Sequence, residues 1–207
     1  MKEQIKKFID LIQSNGHTLD ELGFSTGASE TEIETIETET GQTLPDELKQ
    51  FLSTINGQNN EDFYFLPDQV RLFSCEEIID EWKQEQEYAD DSTEFYDQYQ
   101  NDDKIRCTIY HKSRVPFAGQ EGFGIVCIDN DPGPKGKKGQ IIYLIDECDF
   151  IVLADSFNEL INLYIDRMQK GILKFQNEKE GYPNKYRLKS NAKEMDGLAF
   201  GEIFKNE

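Results

Sequence analysis

Three apolar runs of strand length, Phe123 to Ile128, Gln140 to Ile145 and Phe150 to Leu153, follow one another closely in the chain. The first two are separated by Asp129-Asn130-Asp131-Pro132-Gly133-Pro134-Lys135-Gly136, a stretch rich in turn formers. A parallel pair needs a crossover of about a dozen residues or more, so links this short predict an antiparallel meander. Directly after the runs, Ser156 and Glu159 have the spacing of a capping box, in which each side chain satisfies the other's free backbone N–H. The helix that follows turns Phe157, Leu160, Ile161, Tyr164, Ile165 and Met168 to one side and stops at Gly171.

Upstream the pattern is helical. Ile5, Phe8, Ile9 and Ile12 make one apolar stripe, ending near Asn15-Gly16. Ser29 and Glu32 form another capping box, before a helix that buries Ile33 and Ile36 and stops at Gly41. Leu44-Pro45-Asp46-Glu47 starts a third helix, with Pro45 in the first turn, where its missing N–H costs nothing. Leu48, Phe51, Leu52 and Ile55 form its core face, and Asn56-Gly57 ends it. Phe63 to Leu66 reads as a short strand closed by Pro67. Ser74 and Glu77 cap a helix with Ile78, Ile79 and Trp82 inward. Ile105 to Tyr110 alternates like a strand. Helices, then strands, then a helix predict an α+β fold.

The chain carries 41 acids against 22 bases, a net charge of −19. Phosphate binding needs Lys and Arg, so a general nucleic-acid-binding surface is excluded, and an anionic lipid leaflet repels the chain. There is no run of 18 or more apolar residues and no secretory pattern at the N-terminus, which predicts a cytoplasmic protein. The charge is unevenly spread. Residues 28–47 hold seven acids and no base, and residues 76–103 hold twelve acids and one base, Lys83. Residues 167–193 reverse the sign, with eight bases and two acids. Such blocks read either as solvated helix faces or as a field that steers a basic partner.

Few groups are spaced for catalysis or for metals. The four cysteines, at 75, 107, 127 and 148, contain no Cys-x-x-Cys pair, and they read as reduced thiols rather than a zinc site. Asp129-x-Asp131-x-Gly133 begins like a calcium loop but has Pro134 at the sixth position and Gln140 at the twelfth. Residues 133–139 look like a phosphate cradle, with the wrong glycine spacing and no Ser or Thr after the lysine. Cys107 and His111 are four residues apart on a strand-like stretch, where that spacing does not bring side chains together. The residues therefore favour a binding protein over an enzyme, with no catalytic residue, metal or cofactor.

Two segments, read in order, carry a family likeness. The first is Leu44-Pro45-Asp46-Glu47-Leu48-Lys49-Gln50-Phe51-Leu52 with Asn56-Gly57. The second runs Val115-Pro116-Phe117-Ala118, Gly122-Phe123-Gly124, Ile128-Asp129, Asp131-Pro132 and Gly139-Gln140-Ile141-Ile142. It closes with Val152-Leu153-Ala154-Asp155-Ser156-Phe157 and Leu160. This ordered set, over roughly residues 25–171, resembles the SUKH superfamily, whose founding fungal members are cell-wall synthesis regulators of the Smi/Knr type.

The resemblance implies a single α+β domain, a curved and largely antiparallel sheet with helices around it, spanning residues 1–171. It marks residues near 84–103 as an acidic insertion and 172–207 as a basic C-terminal extension. Bacterial members are read as immunity proteins that neutralise a cognate toxin, often a nuclease, and fungal relatives as regulatory interaction hubs. The expected partner is then a basic toxin domain, with no direct nucleic-acid or membrane contact. The candidate partner-binding residues are Tyr88, Asp90, Asp91, Glu94, Phe95, Asp97 and Tyr99 in the insertion, with Asp129 and Asp131 at the end of a strand. Aromatics are common interface anchors, and the same aromatics also suit packing of an amphipathic segment onto the domain. Asp129 has a second reading, a hydrogen bond to its own turn. Two rival functions remain open: a regulatory scaffold without a toxin, and a ligand-binding or enzymatic domain with a cleft on the sheet.

Overall fold

A computed structural model describes residues 1–59, 64–66, 70–87, 103–106, 108–120, 124–145, 149–177, 186–190 and 204. The elements run α1 (Lys2–Ser14), β1 (Phe24–Thr26), α2 (Glu30–Thr40), α3 (Asp46–Leu52), β2 (Ile55–Gln58), β3 (Arg71–Leu72) and α4 (Cys75–Glu87). They continue with β4 (Arg114–Gln120), β5 (Gly124–Asp129), β6 (Gln140–Ile145), β7 (Asp149–Ala154), α5 (Phe157–Gln169), β8 (Leu173–Asn177) and β9 (Tyr186–Ser190). The five-stranded sheet has the order β3-β4-β5-β6-β7, with every neighbouring pair antiparallel. The β1-β2 and β8-β9 pairs are separate antiparallel ribbons. The predicted α+β class and the meander of the three apolar runs are what the protein adopts.

The caps form where the spacing places them. Ser29 and Glu32 make a reciprocal capping box, and Gly41 ends α2 with a left-handed φ of 65°. At α4, Ser74 N–H donates to Glu77 Oε2 at 2.7 Å and Glu77 N–H to Ser74 Oγ at 3.2 Å. At α5 the arrangement is half of a box: Ser156 Oγ accepts from Glu159 N–H at 3.2 Å, while the Glu159 carboxylate accepts from Asp155 N–H at 2.7 Å.

Three expectations are corrected. Ile55 is in β2, not on the third helix, which stops at Leu52; there the Leu52 carbonyl accepts from Ala28 N–H at 2.8 Å. Pro45 stands just before that helix, at its N-cap. Residues 105–110 do not form a strand; apart from a single bridge at Thr108, their described part is bends, because their carbonyls face a side chain, Arg114, instead of a neighbouring strand. The strand in this part of the chain is β4 instead, with Val115, Phe117 and Ala118 buried.

Alternation along the strands divides the sheet into two faces. Val115, Val126, Ile128, Ile141, Tyr143 and Leu153 join the main core with the helices. That core is dense in aromatics. Phe8 of α1 has Phe24, Phe51, Phe65 and Tyr164 with ring centroids at 5.9, 6.1, 6.0 and 5.5 Å, and Phe65 stacks on Tyr164 at 5.0 Å. Leu173 and Phe204, beyond α5, are buried in the same core. The opposite face carries a smaller cluster of Ile105, Cys127, Ile142, Leu144 and Phe150.

Candidate functional site

Helices α2 and α4 pack against each other, with Ile33, Ile36, Cys75 and Ile78 buried. The backbone N–H of Cys75 is held by Asn56 Oδ1 at 2.8 Å, which ties the start of α4 to β2. With the apolar residues turned in, the acids are left outside. Glu30, Glu32, Glu34 and Glu39 of α2 and Glu76, Asp80 and Glu87 of α4 are exposed. Bases reach this face as well: Lys49 to Glu37 at 2.7 Å, Arg71 to Glu77 at 2.7 Å and Lys83 to Glu39 at 2.5 Å. Burial alone would raise the Glu37 carboxyl; bonds from Lys49 and from the Leu44 N–H outweigh it and hold the group below its ordinary range. Glu30, Glu34, Glu76, Asp80 and Glu87 carry no ion pair among the described residues, so the face keeps a strong negative field.

The strand-end acids have different surroundings. Asp129 is fully buried and sits in a row of polar residues across the sheet, with Arg114 its cross-strand neighbour on β4 and Gln140 on β6. Gln140 Nε2 donates to Asp129 Oδ2 at 2.9 Å, and the Asp131 backbone N–H to Asp129 Oδ1 at 3.3 Å. Burial pushes the Asp129 carboxyl up, against the opposing pull of Arg114 and these two bonds. Asp129 is therefore a turn-holding residue with no surface to offer a partner. Asp131 is partly exposed and faces Arg106, whose Nε lies 2.9 Å from Oδ2 and whose Nη2 donates to Oδ1 at 3.0 Å. The other candidates, Tyr88, Asp90, Asp91, Glu94, Phe95, Asp97 and Tyr99, lie outside the described residues.

Arg114 and Glu85 are buried charged residues that the sequence pattern did not single out. Arg114 donates to the carbonyls of Arg106 at 2.7 Å, Ile109 at 2.9 Å and Thr108, and its guanidinium lies 4.4 Å from the centroid of the Phe150 ring. Glu85, near the end of α4, is 5% exposed. Burial, reinforced by the charge of Glu81 and opposed by Arg114, pushes its carboxyl up to about 8. The helical period contained a signal for Glu85, which follows Ile78 and Trp82 on the inward stripe. Nothing comparable marks Arg114, because its partners come from another segment.

The two described thiols, Cys75 and Cys127, are not set up as nucleophiles, which need a lowered pKa. Burial pushes Cys75 up to about 11 and raises Cys127 as well. His111 is held below its ordinary value by burial and by nearby Arg114. Cys107 and Cys148 lie outside the described residues. Among the described residues no group of three or more His, Cys, Asp or Glu is gathered to hold a metal ion. No described helix is long and apolar enough to cross a membrane.

A comparison with curated proteins returns no match. A family model described as the SMI1 / KNR4 family (SUKH-1) matches residues 27–163, from just before α2 to the middle of α5. The matched stretch covers well over half of the 207 residues and includes the acidic helix pair and the polar row of the sheet, so the chain belongs to the SMI1/KNR4 (SUKH-1) family.

Proposed function

We propose that this protein is an intracellular immunity protein, acting by binding and not by catalysis, which neutralises a basic toxin domain through its acidic surface. The observation that carries the reading is the α2–α4 face, where exposed carboxylates outnumber the bases that reach them. A field of one sign on packed helices speeds encounter with a partner of the opposite sign and repels wrong ones. A toxin that acts on nucleic acid presents such a basic surface, since its own substrate is a polyanion. The SMI1/KNR4 family includes both immunity proteins and regulatory members, and supports either use of the surface.

The test is capture of partners from the source cells with the tagged full chain, at low and at moderate salt. The expected result is one dominant basic protein, held less well as salt rises. Many weak partners, or none, would favour a regulatory scaffold. With the partner in hand, neutralising Glu30, Glu34, Glu76 and Asp80 together as Gln or Asn slows association by about tenfold or more and flattens its salt dependence, as read by stopped flow. An unchanged on-rate would remove the α2–α4 face from the encounter.

A further inference from the structure

We infer that residues 103–106 and 108–110 form a strap that opens as a unit off the outer face of the sheet, with Arg114 as its latch. The strap lies over the smaller apolar cluster. Ile105 is its buried contribution, and Ile109 is partly buried against Cys127, Ile142, Leu144 and Phe150.

The strap is held chiefly by side chains and by one loop. Arg114 donates to three of its carbonyls, those of Arg106, Thr108 and Ile109. Gln140 Nε2 donates to the Lys104 carbonyl at 2.9 Å, and Arg106 reaches out of the strap to Asp131. The loop after β5 adds two bonds, from Gly133 N–H to the Lys104 carbonyl at 2.9 Å and from Lys135 N–H to the Asp103 carbonyl at 3.1 Å. Its glycines allow this close approach: a Cβ at Gly133 would lie 2.2 Å from the Asp103 carbonyl oxygen, and one at Gly136 2.1 Å from that of Lys104.

The balance of forces makes this segment separable. Among the described residues of the strap one buried side chain, Ile105, sets a small hydrophobic gain against the entropy of ordering a whole segment of backbone. The polar clamps therefore decide whether the strap stays shut. Arg114 also has anchors outside the strap. It is fixed in β4, with Asp129 as its cross-strand neighbour and the Phe150 ring against its guanidinium. A segment with few apolar contacts and a rigid latch is the kind that opens locally while the rest stays folded. Opening bares the apolar face around Cys127.

The experiment uses the full chain with Cys127 as its one thiol, carrying Cys75→Ala, Cys107→Ser and Cys148→Ser. Reaction with a disulfide reagent is followed under native conditions with small additions of urea. The expected labelling is slow and nearly independent of urea, the mark of a local opening. Arg114→Lys, which keeps the charge but loses the fork, speeds it by about ten- to a hundredfold. Gln140→Ala, which removes the Lys104 clamp, speeds it less and stands in if the Arg114 variant does not fold. Three results would overturn the inference: labelling with the full urea slope of global unfolding, equal rates in parent and variants, or an acceleration wholly accounted for by lost global stability.

Discussion

The two faces of the five-stranded sheet are both buried, by opposite means. The inner face meets helices through Phe51, Phe117, Phe157 and Tyr164, and hydrophobic contact dominates. The outer face has a small apolar cluster bordered by Arg114, Asp129, Gln140 and Glu85, all buried and all polar or charged. An apolar interface tolerates neighbours of many shapes. A buried charge must be met by a specific partner or it strongly opposes folding. The inner face therefore sets how stable the domain is, and the outer face sets which segment covers it.

That contrast predicts effects of graded size. The largest belongs to the inner face. Phe51 has Phe8, Phe65 and Phe157 around it at 6.1, 6.3 and 5.4 Å. Phe51→Ala is expected to remove about 3–5 kcal/mol, read from urea unfolding. A loss below 1 kcal/mol would show that the aromatic core does not dominate.

Next comes Glu85 on the outer side. Its folded pKa, about 8, stands above the ordinary 4.5, so the folded state holds the proton more tightly than the unfolded chain. The stabilisation that its protonation brings is fully present below about pH 4.5 and is lost as pH rises to about 8. Each pH unit in that window is worth at most about 1.4 kcal/mol. Glu85→Gln takes away the titration. Its stability relative to the parent is expected to rise steadily across the window, by a few kcal/mol in all, and to level off above about pH 8. A flat difference between parent and variant would place Glu85 in water.

The smallest effect returns to the inner face and marks a polar flaw there. The Tyr164 hydroxyl is buried without a hydrogen-bond partner among the described residues, and burial raises its pKa. Tyr164→Phe is expected to stabilise by about 1 kcal/mol, because an unsatisfied buried hydroxyl opposes folding. A thermal melt with a lowered midpoint would reveal a partner for that hydroxyl and break the contrast between the faces.

Legibility in the sequence followed the range of the interactions. Capping at Ser29 and Ser74 depends on residues three apart, and both boxes formed as spaced. The meander was readable because β5, β6 and β7 are consecutive and mostly apolar, as strands buried on both faces are. β4 was not read as a strand, because Pro116 and Gly119 are poor strand formers that interrupt its apolar pattern, yet both lie in a strand paired on both sides. Ile55 kept the helical period and still entered β2, because a hydrogen bond from Ala28 closes off the helix before it. Of the strand-end acids, Asp129 carried an ambiguity that only burial resolved, in favour of its turn.

By itself the sequence determined the α+β class, the helix starts, the meander and the polarised charge, each encoded in neighbours along the chain. Tertiary structure alone decided that Arg114, Asp129 and Gln140 stand side by side, 15 and 11 residues apart in the chain but adjacent across strands. It also decided that Glu85 is buried while the acids around it on α4 face outward. The reason is physical. Local propensity acts through the residue's own backbone and the next turn, whereas the register of a sheet and the burial of a charge are settled by segments that meet only once the chain has folded.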